Sequence, residues 1–106
     1  MKKIFVLAYP ENSGSIVYLD SYSNKYIARG GTLAWRINNP GLLRSHSRVS
    51  RKNGAIGSSG PYSIFATADQ GLSALSDWLS LKSWHRSKVK AVAKYYQSNN
   101  SKKFIE

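Results

Sequence analysis

The residues best equipped for chemistry lie in one run, Gly30-Gly31-Thr32-Leu33-Ala34-Trp35-Arg36-Ile37-Asn38-Asn39-Pro40-Gly41. Two adjacent Asn amides bring paired donors and acceptors, and an Arg fork beside a Trp face suits polar, planar or sugar-like ligands. Asn39 precedes a proline and is biased to an extended backbone, while Pro40-Gly41 suits the central positions of a type II turn. A shaped loop is expected, with the amides of Asn38 and Asn39 facing a groove walled by Trp35, Arg36 and the basic residues that follow. The opposing reading makes the same residues structural, the amides capping turns and Trp35 filling the core.

From Leu42 to Gly60 the chain is polar and basic, with Arg44, His46, Arg48, Arg51 and Lys52 set among Ser, Asn and Gly. It has no periodic apolar face, which predicts a surface segment: either a solvated loop or a lip that grips anions beside the Asn turn. Trp35, Arg36, Asn38, Asn39, Arg44 and Tyr62 are the candidate substrate-binding residues. Carboxylates are scarce. Glu11 and Asp20 stand at the two ends of the run Ile16–Leu19 and are the candidate catalytic pair, provided the chain folds both over the Asn turn. Glycoside cleavage needs a carboxylic acid of raised pKa and, usually, a second carboxylate. Acids at strand ends also serve as turn formers, which is the competing role for both. No cysteine is present, and His46 and His85 stand 39 positions apart without acidic neighbours, so neither a metal site nor a cofactor is expected.

The 16 Lys and Arg against 5 Asp and Glu, a formal charge of +11, point to an anionic partner. Nucleic acid, an anionic membrane surface, the anionic polymers of a bacterial envelope and an acidic protein all satisfy that condition. No stretch approaches the ~18 apolar residues of a membrane span. Lys2-Lys3 and the apolar run Ile4–Ala8 begin like a signal peptide. The run stops at Tyr9-Pro10-Glu11 without a small-residue cleavage site, so it reads as a first strand and no signal peptide is expected.

These residues need a scaffold, and 106 residues with 42% hydrophobic content fit a single domain over 1–106. Ile16–Leu19 and Tyr26–Ala28 read as a hairpin, Tyr62–Phe65 as a short strand, and Gly54-Ala55-Ile56-Gly57 as a tight backbone pass against the Asn turn. Thr67 and Gln70 form a capping box, which predicts a helix over Ala68–Leu81 with Leu72, Leu75, Trp78 and Leu79 facing inward. Ser87 caps a second helix, with Val89, Val92, Ala93 and Tyr96 inward, broken at Asn99-Asn100-Ser101. Phe104-Ile105 anchors a last turn. The predicted fold is α+β, a small N-terminal antiparallel sheet packed on two or three C-terminal helices.

The order Arg29-Gly30-Gly31, Ala34-Trp35-Arg36, Asn38-Asn39-Pro40-Gly41, Gly54-Ala55-Ile56-Gly57, Tyr62-Ser63-Ile64-Phe65 and Asp69-Gln70-Gly71-Leu72-Ser73-Ala74-Leu75 resembles a family of small bacterial and phage domains. Such domains occur in phage virion proteins and on secreted bacterial toxins, including type VI secretion effectors. The order is also similar to the second half of glucosaminidase-type peptidoglycan hydrolases. The resemblance implies a partly lysozyme-like fold that binds or cleaves peptidoglycan, delivered to the bacterial envelope by a non-classical route and countered by an acidic immunity or partner protein. Ile37 and Leu42 depart from the family's usual Asn, and the catalytic Glu that glucosaminidases carry on a helix before the turn has no counterpart. Two alternatives stay open: a cationic nuclease-type toxin with His46 or His85 as general base, and a non-catalytic interaction module of a secreted effector.

Overall fold

A computed structural model describes residues 4–81 and the strand at 104–105. The fold is α+β, with strands β1 (Phe5–Pro10), β2 (Ile16–Asp20) and β3 (Lys25–Ala28) leading into two short helices, α1 (Leu33–Arg36) and α2 (Arg48–Lys52). A second hairpin, β4 (Gly57–Ser59) and β5 (Tyr62–Ile64), precedes the long helix α3 (Ala68–Leu81). The chain returns as β6 (Phe104–Ile105). The expected last turn at Phe104-Ile105 is therefore a strand, which pairs Ile105 with Ile27 and Phe104 with Ala28. The helix expected from Ser87 and its break at Asn99–Ser101 lie outside the described residues.

The larger sheet is antiparallel throughout, in the order β1-β2-β3-β6. Ile16 and Tyr18 project to one face and join Phe5, Ala8, Tyr26, Ala28, Ile37 and Ile64 in the main core, while Val17 between them is buried as well, so the central strand is covered on both faces. Phe5 lies against the rings of Tyr18 and Tyr26 at centroid distances of 5.1 and 5.3 Å, both tilted, a favourable aromatic geometry. The smaller sheet joins the larger through the Ala8 amide, which donates to the Ile56 carbonyl at 3.1 Å. This corrects the expected role of Gly54–Gly57. The tight pass is against β1 and not the Asn turn, because a Cβ on Gly57 would lie 1.9 Å from the Ala8 carbonyl oxygen.

Helix α3 starts where the capping residues place it. The Thr67 hydroxyl accepts from the Gln70 amide at 3.2 Å and donates to Gln70 Oε1 at 3.4 Å. Its inward face is rotated from the expected stripe: Gly71, Ala74 and Leu75 are buried, whereas Leu72 is exposed. Close backbone approach sets that rotation. Gly71 sits so near the Asn turn that a Cβ there would come within 1.9 Å of the Asn38 carbonyl oxygen and 2.9 Å of Pro40. In an exposed helix Gly→Ala gains about 1 kcal/mol from propensity. Here the clash should reverse the sign, so Gly71→Ala should lower stability by about 1–3 kcal/mol in thermal or denaturant melts, as overpacked cores do. A stabilised variant would contradict this packing.

Candidate functional site

Helix α1 ends in a way that explains the first of the two amides. The Asn39 amide reaches back to the Ala34 carbonyl at 2.9 Å and the Asn38 amide to the Trp35 carbonyl at 3.3 Å, with Asn38 at φ +56°. This is the Schellman arrangement, which needs a left-handed residue just past the helix and accepts Asn there. The Asn38 side chain, 2% exposed, donates to the Phe65 carbonyl at 2.9 Å and to the Tyr18 hydroxyl at 3.4 Å. Tyr18 in turn donates to the Arg36 carbonyl.

Asn39 is wholly buried and behaves as a piece of extra backbone. Its Oδ1 accepts from the Leu43 amide at 2.9 Å, and its Nδ2 donates to the carbonyls of Leu43 and Ser63, each at 3.0 Å. The two amides therefore do not face a groove, contrary to expectation. They satisfy backbone groups of the 43 and 63–65 segments, which burial has cut off from water. The turn itself also differs from the expected type II. The Leu42 amide closes it on the Asn39 carbonyl at 3.0 Å, yet Gly41 does not have the positive φ that type II requires. What glycine provides here is room, since a Cβ would meet Leu75 Cδ1 at 2.7 Å and make that side chain shift.

Trp35 is 7% exposed and packs with Ala34, Leu42 and Ala68, so it fills a core and is not presented as a ligand face. Arg36 is half-buried. Its Nη1 donates to the carbonyls of Gly30 and Gly31 at 3.2 and 2.9 Å, while its Nε is buried without a hydrogen-bond partner among the described residues. Arg44 and Tyr62 do come together at the surface, forming an isolated antiparallel bridge with the guanidinium 5.5 Å from the ring centroid.

The basic segment is more ordered than a solvated loop. Ser47 caps α2 by accepting from the Ser50 amide at 3.1 Å, and buried Ser50 donates to the Arg44 carbonyl at 2.9 Å. Arg44, His46, Arg48, Arg51 and Lys52 remain exposed on this pinned backbone. Lys52 lies 3.7 Å from Asp77, which also accepts from Asn53.

The two candidate catalytic acids are kept apart. They sit at opposite ends of β2: the Glu11 amide bonds the Ser15 carbonyl at one end, and Asp20 lies opposite Phe5 at the other. A strand rise of about 3.3 Å per residue puts them roughly 15 Å apart, beyond the ~5–9.5 Å of glycosidase carboxylate pairs. Asp20 is instead the organiser of the β2–β3 turn. Its Oδ1 accepts from the amides of Tyr22 and Asn24, and its Oδ2 from the Asn24 side chain and the Tyr26 hydroxyl. Burial pushes its pKa up, but the bonds from Asn24, Tyr22 and Tyr26 together outweigh that and hold it below the ordinary value. That is the reverse of what a general acid needs. Among the described residues no cluster of metal-ligating side chains occurs; His85 lies outside them.

One concave feature escaped the reading of the sequence. A hollow of about 430 Å³ is lined by Ser13, Gly14, Ser15, Arg29, Gly30 and Arg36. The register pairing Ile16 with Ala28 brings the β1–β2 turn beside the segment entering α1. The available signal was the Asn12–Ser15 turn chemistry together with Arg29 and Gly30, read separately because pairing register was not visible. Compared with protein-family models, curated proteins and solved structures, the chain matches none.

The Asn39→Ala substitution should cost about 3 kcal/mol by leaving several buried groups unpaired, with any loss of binding tracking the unfolded fraction in parallel melts. Asn38→Gly, which keeps the left-handed backbone, should be less damaging than Asn38→Ala by about 1 kcal/mol. For Asp20 the depressed pKa means that the charged form favours folding. Its contribution is complete above the ordinary value of 3.8 and is lost as pH falls through the lower folded value. The melting temperature should therefore drop on acidification below about pH 4, and Asp20→Asn should flatten that part of the profile.

Proposed function

We propose that this chain is a peptidoglycan-binding domain of an envelope-directed bacterial or phage protein, which holds the anionic polymer and does not cut it. The observation that carries the reading is the basic lip. Arg44, Arg48, Arg51 and Lys52 are exposed on backbone fixed by Ser47, Ser50 and the Arg44–Tyr62 bridge, so binding has only their side chains, and not the loop, to order. The excess charge of +11 supports the same partner class by drawing the domain to an anionic surface. Binding is favoured over cleavage because Asp20 serves the β2–β3 turn and Glu11 stands at the far end of the strand. The resemblance to phage and toxin domains selects peptidoglycan among anionic polymers.

The test is retention on purified sacculi. The protein should sediment with them at low salt and be released at ~1 M salt, where the screening length has fallen to about 3 Å. The triple variant Arg44→Gln, Arg48→Gln, Arg51→Gln should be released at lower salt with an unchanged melting temperature. No soluble muropeptides should appear on prolonged incubation. Retention on RNA or plasmid but not on sacculi would replace this reading with a nucleic-acid one, and release of muropeptides would restore the hydrolase.

A further inference from the structure

We infer that the hollow between the β1–β2 turn and the β3–α1 segment is a binding site for a single carboxylate-bearing saccharide unit, an assignment that rests on the peptidoglycan-binding reading. Its volume, about 430 Å³, is of the size that holds one sugar-sized ligand. Two arginines, Arg29 and Arg36, line it, and neither is ion-paired with a carboxylate among the described residues. Glu11 begins the neighbouring turn but does not line the hollow.

Arg36 is fixed on one side only. Nη1 is committed to the carbonyls of Gly30 and Gly31, which leaves the Nε side of the fork, the edge that grips a carboxylate through two parallel bonds. The buried Nε lacks an acceptor among the described residues, so its desolvation is uncompensated there, and a small swing of the guanidinium toward a bound carboxylate removes that deficit. Arg29 is exposed at the rim, where it adds charge without being tied down.

The remaining lining suits a sugar. Ser13 Oγ donates to Ser15 Oγ at 3.1 Å, placing two hydroxyls side by side, and each can exchange bonds with ring hydroxyls. Gly14 and Gly30 both have positive φ, and the space where a Cβ of Gly14 would stand is open, so the backbone is approachable at the turn. A phosphate would use the cations and accept from a hydroxyl but would leave most of the width unfilled. An uncharged sugar would use the hydroxyls but would give the guanidiniums only neutral acceptors, which form weaker bonds than a carboxylate.

The experiment is a nuclear magnetic resonance titration of the full nitrogen-labelled chain with three probes: N-acetylmuramic acid, N-acetylglucosamine and inorganic phosphate. The acid sugar should move the amide signals of Ser13–Ser15 and Gly30 and the Arg36 Nε–H signal. The neutral sugar should bind more weakly and leave the Arg36 Nε–H signal in place, and phosphate should compete weakly. Arg29→Gln should weaken the acid sugar about tenfold, the scale of one charge-assisted contact, without changing the melting temperature. Arg36→Lys, which keeps the charge and loses the fork, should weaken it at least as much.

Equal binding of the two sugars, equal competition by phosphate, or an Arg29→Gln affinity like that of the parent each overturns the assignment. Retention on sacculi with no movement of these signals would remove the pocket and leave the broader reading in place. Binding of the acid sugar without retention on sacculi would do the reverse.

Discussion

Burial of the Asn38–Asn39 pair is the constraint on which the rest of this domain depends. A chain segment inside a protein must satisfy its amides and carbonyls without water, and between α1 and α2 no regular ladder runs long enough to do so. Two side-chain amides take over that role. Asn39 reads both the donor and the acceptor of Leu43 and reaches across to Ser63, while Asn38 ends α1 and bonds Phe65. Helix α1, the turn and strand β5 are thereby joined through four side-chain bonds from two residues, three of them Asn39's and one Asn38's to Phe65.

Once that turn is built, its neighbours must come close to it. Gly71 lets α3 rest on the Asn38 carbonyl, Gly41 makes room for Leu75, and Gly57 admits the Ala8 carbonyl where the two sheets meet. These approaches explain why α3 presents Gly71 and Ala74 to the interior beside Leu75, with Trp78 packed at the edge of the core and Leu72 turned outward. Distance of backbone from backbone, and not side-chain size alone, sets the rotation of the helix. Asp20 plays a matching part at the other end of the sheet, where one carboxylate collects two backbone amides and two side-chain donors.

With those polar groups committed to the frame, the chemistry left at the described surface is mainly cationic, with Glu11 and Asp69 as its exposed carboxylates. The lip holds Arg44, Arg48, Arg51 and Lys52, and the hollow holds Arg29 and Arg36, whereas Glu11 and Asp20 are separated by the length of β2. Nine of the sixteen cationic side chains lie at Lys2, Lys3 and beyond residue 81, so the described lip and hollow carry a minority of the charge. Their distinction is geometric. They are charges on fixed backbone, one group with Arg44 beside the Tyr62 ring and the other around a concavity.

The sequence alone determined what depends on neighbours a few residues apart. The capping box at Thr67 set α3 at Ala68–Leu81, the apolar runs set β2 and β3, and Asn39-Pro40 announced a shaped turn. The excess of positive charge was legible without any fold. Only the tertiary structure decided the uses of the same residues. An Asn amide has identical donors and acceptors whether it meets a ligand or a buried carbonyl, so its role follows from where Leu43, Ser63 and Phe65 lie. Gly41 looked like a conformational glycine and proved to be a spatial one, because the side chain it avoids, Leu75, is thirty-four residues away. The hollow was invisible for the same reason: Ser13, Arg29 and Arg36 become neighbours through strand pairing, and pairing register is a property of the assembled sheet.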